Sequence, residues 1–168
     1  MTKRNIFYSF HFENDCWRTG QVRNIGVVEG NSTVSDHDWE EVKKGGDIAI
    51  QKWIDNQLHG RSCTVVLVGE KTRGRKWIKY EIEKSWNDGK GVVGICIHNL
   101  LNRDGKSSDI GKNPFADFTI KSNGEKLSDI LKLYNPPYKV STNVYKHISE
   151  NISNWVEEAI KIRKNYKS

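Results

Sequence analysis

Two kinds of hydrophobic pattern alternate along this chain. Short, mostly apolar runs occur at Asn5–Phe10 (NIFYSF), Cys63–Val68 (CTVVLV) and Val92–Ile97 (VVGICI). Runs that are apolar on both alternations suit strands covered on both faces, as in a parallel sheet. Between them lie helical stripes. Ile50, Trp53, Ile54 and Leu58 share one face of a predicted helix that starts near Asp47 and ends at Gly60. Ile78, Ile82 and Trp86 do the same over Lys76–Asp88, which Gly89 and Gly91 close. Ile148, Ile152, Trp155, Val156, Ala159 and Ile160 form the apolar side of a long C-terminal helix at about 142–164.

The remaining segments are less regular. His11–Asp15 reads as a polar break after the first strand, and Cys16–Arg23 as a short helix. Ile25–Val28 is one more short apolar run, and the glycine- and serine-bearing stretch Glu29–Gly46 reads as a long loop. Residues 99–126 read as polar and irregular, and periodicity leaves Leu127–Tyr134 open between helix and strand. Strands alternating with helices indicate an α/β fold. The expectation is a single flavodoxin-like, three-layer domain over residues 1–168, with the runs at 6–10, 63–68 and 92–97 as adjacent strands of a central parallel sheet.

In such sheets a ligand sits at the carboxyl ends of the strands. That points to the loops His11–Asp15, Glu29–Gly46, Gly69–Arg75 and His98–Asn113. Glu81 stands out. It lies four residues after Trp77 on one side of its helix, beside the apolar stripe, where a carboxylate can meet a ligand. The plain alternative is an ordinary exposed helix glutamate, as Glu83 is expected to be. Ser9 and Phe10, at the end of the first strand, are the next candidates. Their plain alternative is a hydrophobic anchor followed by a helix start capped by Asn14 or Asp15. The pair His98-Asn99 could face the same crevice, and Cys16 has no base near it in sequence.

Composition narrows the class. The chain has 168 residues, 36% of them hydrophobic, with six Trp, six Tyr and five Phe, which is the make-up of a folded globule. No apolar run approaches the roughly 18 residues a membrane helix needs. Three widely spaced cysteines and no secretory pattern lead to the expectation of a reduced, cytoplasmic protein without membrane attachment. A net charge of +6 suits an anionic partner, but the basic residues are dispersed, so a nucleic acid is the weaker expectation. No metal-ligand spacing, GxGxxG, Walker A loop, GxSxG or HExxH occurs, and neither metal nor cofactor is expected.

Four motifs in order carry a resemblance. Ile6-Phe7-Tyr8-Ser9-Phe10 is similar to the opening strand of TIR domains, and Lys44-Gly45-Gly46-Asp47-Ile48 to the helix start after their BB loop. Ser62–Gly69 resembles their central strand, and Arg75-Lys76-Trp77-Ile78-Lys79-Tyr80-Glu81-Ile82 the helix that carries their glutamate. The chain resembles TIR domains, most closely the TIR-like MTH538- or ThsB-like proteins of the bacterial Thoeris anti-phage system. The resemblance implies cleavage of the nicotinamide–ribose bond of NAD+ and cyclisation of the ADP-ribose, with NAD+ as substrate rather than cofactor. It implies Glu81 as the catalytic residue and Ser9, Phe10 and Trp77 as substrate contacts. It implies as partners an effector protein activated by the product and, through TIR-type assembly, further copies of the chain. The competing reading is a non-catalytic TIR-type interaction module, since many TIR domains do no chemistry.

Overall fold

The computed structural model describes residues 3–30 and 41–166. Four strands, β1 (Ile6–Ser9), β2 (Cys63–Val68), β3 (Gly91–Cys96) and β4 (Leu133–Tyr134), form one sheet in that spatial order. Every pairing is parallel: Ile6 is opposite Cys63, Cys63 opposite Gly91, and Gly94 opposite Leu133. Every residue of β1, β2 and β3 is buried, as the unbroken apolar runs require. On the free side of β1, the Ile6 amide donates to the Glu29 carbonyl at 2.7 Å, and the Glu29 amide donates to Arg4 at 2.9 Å. Glu29, the residue after the Ile25–Val28 run, thus makes a single parallel bridge with Asn5 beside β1, on the side where a flavodoxin-like sheet carries its edge strand.

Alternate strand residues feed two faces. Ile6, Tyr8, Val65, Leu67, Val93 and Ile95 pack with the helices α1 (Phe12–Arg23) and α5 (Ser141–Asn165). On the other face, Val66, Val68 and Val92 meet Ile78, Ile82 and Trp86 of α3 (Lys76–Asn87). Beside them Phe7 meets Ile50, Ile54 and Leu58 of α2 (Gly46–Leu58). The fold is α/β with three layers. Gly91 has to be glycine because a Cβ there would lie 2.7 Å from the Ile160 backbone nitrogen where α5 crosses β3.

Several boundaries differ from the sequence reading. β1 ends at Ser9, and Phe10 lies just beyond it. His11–Asp15 is not a break: α1 begins at Phe12, with His11 in the N-cap position and no side-chain cap. Neither Asn14 nor Asp15 caps the helix, because Asp15 turns inward to pair with Arg18 one turn later, at 3.2 Å. Of the expected loop Glu29–Gly46, residues 31–40 lie outside the described residues, and residues 41–44 are helical. The open segment Leu127–Tyr134 contains both elements, a single helical turn, α4 (Leu127–Ile130), and then β4. Among the described residues, 99–126 holds one 3₁₀ turn, Pro114–Asp117, capped by the Asn113 side chain.

Candidate functional site

A cleft of about 450 Å³ opens at the carboxyl end of β1. Most of its walls come from four places in the chain. Phe7, Tyr8 and Phe10 arrive with β1, and His11 begins α1. Trp53 and Ile54 come from α2, while Arg75, Lys76, Trp77, Ile78 and Glu81 come from the first turns of α3 and the residue before it. Its size lies within the usual range for small-molecule sites, and its aromatic lining with a few polar groups is typical of them.

Glu81 is the acidic group at the floor. Its side of α3 lies against the sheet, so the residue is only 7% exposed. Ser9 Oγ, at the end of β1, donates to Glu81 Oε1 at 2.9 Å. Burial pushes the Glu81 carboxyl up to about 8, against the opposing pull of the Ser9 hydrogen bond. The backbone beneath it is also held. Ser85 Oγ donates to the Glu81 carbonyl at 2.6 Å, which leaves Thr64 on β2 to donate to Ser85 across 2.7 Å. A seryl–threonyl relay therefore pins this turn of α3 to the central strand.

Of the residues singled out from sequence, Glu81, Phe10 and Trp77 come together in the cleft. Phe10 is half-buried and lies near Phe12, with ring centroids 6.2 Å apart. Trp77 packs edge-on against Tyr80 at 5.8 Å, and the Lys76 ammonium sits 4.9 Å from its ring centre. Lys76 also pairs with Asp47, linking the first turns of α2 and α3. Ser9 takes a different place from the one expected. It is 1% exposed and engages Glu81, and it is not among the cleft-lining residues.

His98-Asn99 does not join the crevice. His98 is buried near Arg18, and Asn99 donates to the Tyr138 carbonyl at 3.0 Å. Glu83 is exposed, as expected. Sequence reasoning missed the α1 wall. Phe12, Glu13, Cys16, Thr19, Gly20 and Arg23 all line the cleft at helical spacing, a signal hidden by starting that helix at Cys16. It also treated Trp53 as core, whereas Trp53 is half-buried on the cleft wall.

The cleft carries cations, Arg75 and Lys76, at its α3 end and Arg23 at its α1 end. Among the described residues, no cluster of His, Cys, Asp and Glu is disposed to hold a metal ion, and no helix is long and apolar enough to cross a membrane.

Comparison with known proteins decides the family. The family model described as "Thoeris protein ThsB, TIR-like domain" matches residues 7–102, from β1 to just past β3, and so spans the β1 and α3 residues of the cleft. The chain belongs to the ThsB TIR-like family. A Bacillus cereus (strain MSX-D12) relative named "Putative cyclic ADP-D-ribose synthase ThsB1" is 37% identical over 134 residues, covering 76% of this chain and 69% of the relative. The motifs that suggested a ThsB-like protein all lie within or at the edge of the cleft-bearing half of the chain.

Proposed function

We propose that this ThsB-type protein binds NAD+ in the cleft, cleaves its nicotinamide–ribose bond and closes the ADP-ribose into a cyclic signal for Thoeris-type anti-phage defence. The observation that carries this reading is Glu81, a carboxylate buried at the floor of an aromatic cleft and hydrogen-bonded by Ser9. The name of the ThsB1 relative supports the same product class.

The chemistry follows from the geometry. When the glycosidic bond breaks, both electrons leave on nicotinamide, which departs neutral and needs no acid. Positive charge builds on the ribosyl carbon and ring oxygen, as in other glycoside cleavages. A fixed anion in a site shielded from water stabilises that charge strongly, because it has little solvent to reorganise. Burial keeps the Glu81 carboxyl largely protonated in the free protein, and the cationic nicotinamide ring draws it into the ionised form on binding. Trp77 and Phe10 offer flat surfaces to the two rings, and Arg75 and Lys76 suit the diphosphate. No cofactor is required. The free state of Cys16, Cys63 and Cys96 fits a reducing, cytoplasmic setting, and the product would act on a separate effector.

An interaction module has no use for a buried carboxylate whose ionisation opposes folding. The test is nicotinamide release from NAD+ by Glu81→Gln and, as control, Glu83→Gln. The first variant is expected to lose on the order of 10²–10³-fold in rate, and the second to match the wild type. Wild-type release by Glu81→Gln overturns the reading.

A further inference from the structure

Cyclisation needs more than bond cleavage. A hydroxyl of the same ADP-ribose has to attack the ribosyl carbon, and its proton has to go somewhere. A carboxylate that took this proton would lose its charge while the ribosyl centre is still cationic. Glu81 therefore suits the first demand and not the second.

His11 meets the second. It follows Phe10 directly and lines the same cleft as Glu81. Both ring nitrogens are shut off from solvent, and neither has a hydrogen-bond partner among the described residues. Unpartnered buried polar atoms are costly and uncommon, so a histidine held this way needs a reason beyond folding. The charged groups facing it are Arg75 before α3, Lys71 after β2, and Glu13 on α1. Burial and the two cations hold the imidazole below its ordinary value, against Glu13, so it stands neutral at pH 7 with one nitrogen able to accept a proton.

We infer that His11 is the general base of the cyclisation step, receiving the proton of the ADP-ribose hydroxyl that attacks the ribosyl carbon. This rests on the NAD+-cleaving reading of the cleft. The carbon–nitrogen bond breaks with its electron pair going to nicotinamide. The hydroxyl oxygen forms the new carbon–oxygen bond, and its proton passes to His11. Both transfers require the ring to turn so that a nitrogen covered in the free protein faces the cleft, and the imidazolium then gives the proton to water there when the product leaves. NAD+ is thereby converted to cyclic ADP-ribose, nicotinamide and one proton, with no other reactant.

The two steps separate experimentally. Exchange of labelled free nicotinamide into NAD+ reports bond cleavage alone, while cyclic product reports both steps. His11→Gln and His11→Ala, compared with wild type at matched melting temperature, are expected to lose cyclic product by roughly 10²-fold or more. Nicotinamide exchange should fall less than tenfold, and added imidazole should restore part of the cyclic product in His11→Ala. Cyclic product retained in both variants, or exchange and cyclic product falling together, would overturn the role of His11 and leave the cleft reading standing. A wild-type protein that neither exchanges nor releases nicotinamide overturns both.

Discussion

The hydroxyl of Ser9, at the end of β1, donates to Glu81 Oε1 at 2.9 Å across 72 residues of sequence. This bond holds the Glu81 carboxyl down while burial, the stronger effect, drives it up to about 8. Ser9 therefore governs how much of the Glu81 carboxylate is ionised, without lining the cleft.

Activity should follow that ionisation. The pH profile of kcat/KM for nicotinamide release reports the free protein. It is expected to rise about tenfold per pH unit below about 8 and to flatten above it. Ser9→Ala removes the hydrogen bond that favours the charged form, so the rising limb moves to higher pH and activity at pH 7 falls. A limb that stays put in Ser9→Ala shows that the hydroxyl does not govern Glu81.

Stability should follow it with the opposite slope. The folded protein holds the Glu81 proton up to about pH 8, whereas the ordinary carboxyl value is 4.5. Between these values the folded state binds more protons than the unfolded state, so stability is full below about 4.5 and is lost as pH rises through about 8. Glu81→Gln has no proton to lose. Its melting temperature relative to wild type is expected to climb from pH 5 to pH 9 and to exceed wild type at pH 9. Thermal denaturation across that range checks the sign.

Trp77 is half-buried on the cleft wall, so its ring is available to a planar ligand. Stacking of this kind is worth about 1–3 kcal/mol per ring. Trp77→Ala is expected to raise KM for NAD+ by roughly 5- to 150-fold with a much smaller change in kcat. Phe10→Ala should act in the same direction with some added loss of stability, since Phe10 also packs on the core beneath α1 and α5. Initial-rate kinetics paired with melting curves separate the two contributions.

Arg18 and Asp15 form an ion pair with both side chains almost completely buried. Arg18 also donates to the carbonyls of Leu100, at 2.7 Å, and Lys106, at 3.0 Å, tying the cleft-lining helix α1 to the loop after β3. Arg18→Met strands the Asp15 carboxylate and is expected to cost about 3–5 kcal/mol. Adding Asp15→Leu to Arg18→Met should recover much of that loss, because no lone charge then remains. Chemical denaturation of both variants measures the difference. A double variant no more stable than the single one assigns the loss to the carbonyl contacts instead.

Local pattern was enough to place the strands and main helices, since apolar runs and four-residue stripes depend on neighbours within one or two turns. It also placed Trp77 and Glu81 on one side of α3, and the order of four short motifs pointed to the family. What local pattern could not contain was the fate of polar groups. A glutamate on a helix reads as exposed until a strand from 72 residues away supplies Ser9, and Asp15 reads as a cap until Arg18 draws it inward. With that inward turn, α1 begins earlier and its Phe12-to-Arg23 face becomes a cleft wall. Burying a polar side chain requires a partner or a purpose, and which distant residue stands opposite is decided only when the sheet and its helices close together.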